Sequence, residues 1–149
     1  MARVPRHPGT GWLTLGGWLS IAAGAAHLAC IAGGADWYRA FGAGEGIARA
    51  AERGDAMPAV LTSGIAAVLA IWGAVALSGA GRIVRLPLLR VALLGITAIY
   101  LLRGAMIFAP SAFNRPDLSR TFIVTSSLVV LAYGIVHAVG LRRGWTVLS

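Results

Sequence analysis

Read for hydrophobic and polar positions alone, the chain divides into four long apolar runs separated by short stretches that hold nearly all of its charge. The runs extend over about Trp12–Ala32, Pro58–Leu77, Pro87–Phe108 and Phe122–Leu141. Each is about 20 residues long, the length a helix needs to cross about 30 Å of hydrocarbon. The pattern predicts an all-α integral membrane four-helix bundle, with residues 1–149 forming a single transmembrane domain. The punctuation fits these limits. Asp55 can cap the second helix ahead of Pro58, and Pro87 suits the first turn of the third. Pro110 ends the third run, and Asn114 or Asp117 can start the fourth.

The third run contains two charges, Arg90 and Arg103, both near its ends, where long side chains snorkel to the interface. The distribution of charge supplies an independent check. With four spans, the N-terminus, the Ser78–Leu86 link and the C-terminus share one side. That side carries Arg3, Arg6, Arg82, Arg85, Arg142 and Arg143, with Arg90 snorkelling towards it, and no acid. The other side carries Arg39, Arg49, Arg53, Arg115 and Arg120 together with all five acids, Asp36, Glu45, Glu52, Asp55 and Asp117. The arginine excess predicts that both termini are cytoplasmic in a multi-pass protein of a bacterial inner membrane. Dropping the third span would move Arg142 and Arg143 to the outside and spoil the asymmetry.

Composition sharpens the picture. Apolar residues make up 58% of the 149 and charged residues 12%, about half the charge of an average soluble protein. Disorder is excluded, because disordered chains are poor in apolar residues. A soluble enzyme of this size has too little interior to hide so much apolar surface. The net charge of +8, with every cation an arginine, would suggest nucleic acid on a soluble domain. Here the arginines stand in ones and twos between apolar runs, so they are read as topology-setting flanks and no nucleic-acid partner is expected. Cys30 is the single cysteine; it makes no internal disulfide and sits where cysteine behaves as a small hydrophobe. The uncharged stretch from Pro8 to Ala35 far exceeds a signal peptide's core of about 7–15 residues, so it is expected to remain as the first span.

Small residues recur at helical spacing. Gly16, Ser20 and Gly24 form a stripe on the first run, and Ala66, Ala70 and Ala74 repeat the spacing on the second. Such stripes let helix backbones approach within a bundle or across a homodimer seam. The two halves share no internal repeat, so an inverted-repeat transporter has no support.

The long connection from Gly33 to Met57 is read as one outer loop. Trp37, Tyr38 and Phe41 open it as an aromatic belt, and Glu45–Arg53 reads as a short amphipathic helix with Glu45 and Arg49 paired at i,i+4. Gly42–Gly46 matches a phosphate loop in composition only, since no strand precedes it and no lysine follows.

Depth arithmetic at about 1.5 Å per residue places His27 about 22 Å, Arg103 about 24 Å and Tyr100 about 20 Å from the cytoplasmic ends of their spans. Thr62, Ser63, Thr125, Ser126 and Ser127 fall at comparable height. The expectation is a polar layer in the outer third, opening into a ligand pocket formed by His27, Trp37, Tyr38, Glu45, Tyr100 and Arg103, with Glu45 or Asp36 pairing Arg103. The competing expectation is a structural network of hydroxyls bonded to carbonyls. His137, about 6 Å up, lies too far from His27 to share a metal. No metal or other cofactor is expected, and no catalytic residue is assigned.

The stretch Trp37-Tyr38-Arg39-Ala40-Phe41-Gly42-Ala43-Gly44-Glu45, with Tyr100-Leu101-Leu102-Arg103-Gly104, resembles small uncharacterised bacterial inner-membrane proteins with four helices. The resemblance covers most of the chain and implies no activity. The expected function is a non-enzymatic binding or accessory protein for a lipid, a hydrophobic small molecule or a membrane-protein partner, acting through the outer pocket. An oligomeric transport component is one alternative, and a membrane enzyme using His27, Glu45 and Arg103 is another.

Overall fold

The structure is a computed structural model that describes residues 2–109, 114 and 118–149. The regular elements among them are all helical: α1 (Thr10–Ala40), α2 (Glu45–Glu52), α3 (Met57–Gly79), α4 (Leu89–Ala105), a single 3₁₀ turn (Met106–Phe108) and α5 (Arg120–Gly144). Four of these stretches, α1, α3, α4 with its 3₁₀ turn, and α5, are long and apolar enough to cross a membrane.

The helix ends follow local chemistry, not always the residues expected. Asp55 does not cap α3: its carboxylate accepts from Arg53 at 2.8 Å, and the helix starts at Met57 with Pro58 in its first turn. Pro87 precedes α4 instead of opening it. Leu88 adopts the left-handed conformation (φ 51°), and the helix begins one residue later. Ser119 caps α5, its Oγ accepting from the Phe122 amide at 3.1 Å, so Asn114 is not the cap. Pro110 and Asp117, expected at the same turn, lie outside the described residues.

α1 is longer than the first apolar run because the helix continues through the Asp36–Arg39 segment. Gly34, at φ 68° and ψ −155°, breaks it, a conformation that a residue with a Cβ rarely adopts. Thr10–Gly33 forms the long segment, about 36 Å by helical rise, and Ala35–Ala40 leads off towards α2.

α1 packs along α3, α4 along α5, and α1 also meets α5, while α3 and α4 touch less. Backbones approach closely at each main seam. A Cβ on Gly17 would lie 3.0 Å from the Gly73 carbonyl oxygen, and one on Gly73 would lie 2.8 Å from that of Gly17. Between α4 and α5, a Cβ on Gly104 would lie 2.6 Å from the Leu131 backbone, and one on Gly134 would lie 2.9 Å from the Leu101 nitrogen. Such approach is how helices associate where lipid and core are equally apolar. Gly16, Ser20 and Gly24 are buried, as a packing stripe requires. The stripe on α3 differs from expectation. Its buried face runs Thr62, Ala66, Leu69, Gly73 and Ala76, and Ala70 is exposed. Steps of four overshoot the helical turn by about 40°, so a strict i+4 row rotates off the contact face.

The ends of α1, α3, α4 and α5 near Arg82, Arg90 and Arg142 form an arginine face. Residues 2–9 cross this face as a strap. The Arg85 amide donates to the Ala2 carbonyl at 3.1 Å, Val4 is buried, and His7 Nε2 donates to the Gly79 carbonyl at 2.9 Å. The opposite end, carrying α2, is the loop face.

Candidate functional site

The residues expected to share one outer pocket divide among three places. On the loop face, Trp37 stacks on Phe41 with ring centroids 5.9 Å apart and rests on Gly33, where any Cβ would collide with its ring. Tyr38 is buried with Cys30 and Ala48, its hydroxyl without a partner among the described residues. Glu45 accepts two hydrogen bonds from Arg39, each 3.0 Å, and a third from Arg49 at 3.0 Å. Arg39 also reaches Glu52 at 2.7 Å. These guanidiniums, Arg39 foremost, hold the Glu45 carboxyl down at about 2. The expected Glu45–Arg103 pair is therefore replaced by a local clamp that fastens α2 to the end of α1. Asp36 likewise turns to Arg39, at 3.4 Å.

Tyr100 lies elsewhere, in a buried polar and aromatic cluster where the helices converge. Its hydroxyl is 2.9 Å from Ser20 Oγ. Since Ser20 donates to the Gly16 carbonyl at 3.0 Å, the Tyr100 hydroxyl is the donor in their bond. Around its ring stand Trp72 edge-on at 5.1 Å, Tyr133 at 5.8 Å and His137 at 5.2 Å between centroids. His137 is fully buried and rests on the bare backbone of Gly16. Its Nδ1 donates to the Tyr133 carbonyl at 2.8 Å, while Nε2 has no partner among the described residues.

His27 and Arg103 occupy neither place. His27 donates from Nδ1 to the Ala23 carbonyl of its own helix at 2.8 Å. Arg103 is exposed and donates weakly to Ser127 on α5 at 3.4 Å. No hydrogen bond or ion pair among the described residues joins His27, Glu45, Tyr100 and Arg103 to one another. The cause lies in the helix ends. With α1 starting at Thr10, α4 at Leu89 and α5 ending at Gly144, helical rise puts His27 about 25 Å, Tyr100 about 16 Å and His137 about 10 Å above the arginine face. Tyr100 thus drops away from His27 towards His137. Arg103 is three residues beyond Tyr100, off the buried stripe of Leu93, Ile96, Thr97, Tyr100 and Gly104.

Sequence reasoning missed the Tyr100 partners on α5. The signal was present as Tyr133 and His137 at i,i+4, matched by Gly16 and Ser20 on the first run.

No family model, curated protein or solved structure gives a significant match to this chain.

The geometry of this chain therefore carries the functional argument alone. No cluster of His, Cys, Asp or Glu among the described residues can hold a metal ion. What the surface does offer is a groove of about 550 Å³ between α4 and α5, lined by Leu94, Thr97, Ala138, Leu141, Arg142 and Trp145. The hydroxyl of Thr97 is engaged by the Leu93 carbonyl at 2.7 Å, so the inner groove presents no free donor. At its mouth Arg90 donates to the Trp145 carbonyl at 2.6 Å and lies over the Trp145 indole at 4.5 Å. The groove is apolar for about 12 Å inward from the arginine face and cationic where it ends.

Proposed function

We propose that this chain is a non-enzymatic lipid-binding accessory protein of a bacterial inner membrane, with both termini cytoplasmic. The observation that carries this reading is the α4–α5 groove, whose apolar walls end at Arg142 and at the Arg90–Trp145 pair. That sequence of surfaces matches an anionic phospholipid, with acyl chain along Leu94 and Leu141 and phosphate at the guanidiniums. The reading moves the ligand from the outer pocket to the opposite face, because the outer residues do not converge. The enzyme alternative loses its geometric basis for the same reason: Glu45 is engaged by Arg39 and Arg49, far along the chain from Arg103. Cytoplasmic termini are supported by the arginine face, which carries Arg3, Arg6, Arg82, Arg85, Arg90, Arg142 and Arg143 and, among the described residues, no acid.

Two experiments test this reading. The full chain is reconstituted in nanodiscs of mixed phosphatidylglycerol and phosphatidylcholine, released, and weighed by native mass spectrometry. Retention of phosphatidylglycerol is expected to fall about tenfold in an Arg90→Gln, Arg142→Gln variant. Equal retention of both lipids by the unaltered chain overturns the proposal. For sidedness, single cysteines at Gly46 and Val84 in a Cys30→Ala background are exposed to an impermeant maleimide on whole cells. Labelling at Gly46 and not at Val84 is expected, and the reverse inverts the topology.

A further inference from the structure

We infer that Arg3, Arg6 and Arg82 form a separate binding site for a phosphate oxyanion on the arginine face, assembled by the strap of residues 2–9. The strap brings Arg3 and Arg6 against the turn after α3, enclosing a cavity of about 320 Å³ lined by both arginines with Val4, Thr10, Gly81 and Arg82. The backbone is shaped for this closure. Gly81 takes φ 70°, and a Cβ there would collide with the Val4 carbonyl, so only glycine lets the strap lie this close.

The electrostatics point to an anion. Three arginines line one small space, and their like charges repel unless something negative offsets them. Neither Arg3 nor Arg6 makes a hydrogen bond or ion pair with a described residue. Every ion pair among the described residues lies elsewhere, among Asp36, Arg39, Glu45, Arg49, Glu52, Arg53 and Asp55. Those acids are separated from the cavity by the whole of α3, whose 23 residues rise about 34 Å.

The donors are also prearranged. Arg82 Nε donates to Thr14 Oγ1 at 3.1 Å, which fixes the guanidinium plane and leaves its two terminal nitrogens for bidentate contact with an oxyanion. Thr10 Oγ1 accepts from the His7 amide at 3.0 Å, so its own proton remains to donate. The first turn of α1 adds the positive end of the helix dipole beside Thr10. At the helix ends the cavity sits at headgroup depth. A lipid phosphodiester and a free phosphate both fit this chemistry.

The test uses the full chain in detergent, its thermal midpoint followed against inorganic phosphate with sodium chloride at matched ionic strength as reference. A saturable rise with phosphate is expected, absent with chloride. An Arg3→Gln, Arg6→Gln, Arg82→Gln variant is expected to need at least about tenfold more phosphate for the same rise. All three side chains are exposed, so this variant should fold. The corresponding triple lysine variant keeps charge without the fork and is expected to fall between. An Arg103→Gln variant, altered away from the arginine face where, among the described residues, the side chain donates only to Ser127, is expected to keep the unaltered phosphate response. Nanodiscs distinguish the sources. Loss of one retained phosphatidylglycerol in the triple glutamine variant, with displacement of that lipid by phosphate from the unaltered chain, identifies the headgroup. A phosphate response without that loss identifies the free anion. Coincident phosphate curves for the unaltered chain and the triple glutamine variant, or an equal rise with chloride, overturn the assignment.

Discussion

Two glycines of α4 offer a matched test of how the bundle is held together. A Cβ added at Gly104 would stand 2.6 Å from both the Cα and the backbone nitrogen of Leu131. Those atoms belong to the α5 backbone and cannot rotate aside, so ordinary contact requires the two helices to part by about 1 Å. Over-packing of this kind costs about 1–3 kcal/mol, and the tight α4–α5 seam loses dispersion contacts on both sides of the insertion. At Gly95, in the same helix, nothing lies within 4 Å of the added Cβ. There the substitution gains the usual advantage of alanine over glycine, about 0.5–1 kcal/mol in a helix interior. Gly104→Ala and Gly95→Ala should therefore differ by about 1.5–4 kcal/mol, with opposite signs against the unaltered chain. Unfolding by increasing dodecyl sulfate in mixed micelles, followed by circular dichroism, measures both. Equal midpoints for the two variants would show that α4 and α5 are not seated backbone to backbone, and the seam described above would be wrong.

Other consequences can be measured in the same preparation. Tyr100→Phe removes the donor to Ser20 while Ser20 keeps its bond to Gly16, so a loss of about 0.5–1.5 kcal/mol is expected, and a larger one would assign the hydroxyl a role beyond this bond. His137→Leu removes a buried Nε2 that lacks a partner among the described residues, so it should be far milder than His137→Ala, which leaves a void costing about 2–4 kcal/mol. The clamp on α2 should depend on pH. Because Arg39 and Arg49 depress the Glu45 carboxyl from 4.5 to about 2, its contribution is complete above 4.5 and fades as the pH falls through 2. Amide protection factors across Ala48–Glu52, taken relative to the intrinsic exchange rate at each pH, should fall over that interval, and Glu45→Gln should abolish the dependence.

What could be read from the chain and what could not have different physical origins. The four long helices were legible because an apolar run of about 20 residues has few alternatives, and each run meets a helix in the structure. The short helix at Glu45 was legible from the Glu45–Arg49 spacing, a local signal. The polar site was not. Its prediction compared depths across different helices, so errors of two or three residues at Thr10, Leu89 and Gly144 added together. They carried Tyr100 about one helical turn away from His27 and towards His137. Rotation about the axis was the second hidden variable: Tyr100 and Arg103 are neighbours on one face, yet the buried stripe takes the first and excludes the second. Leu88 and Gly34 set the direction of their helices through backbone angles that composition does not announce.

The order of the seams also bears on how the chain comes into being. α1 finds its main partner in α3, and α4 finds its own in α5, while α3 and α4 share little. Synthesis therefore completes the first pair before the second pair exists, and each hairpin can close its own glycine seam. Only the last docking event joins Ser20 and Trp72 of the first pair to Tyr100 and His137 of the second. A chain cut in the Gly81–Leu86 link should therefore still yield two fragments that pair their own helices and recognise each other.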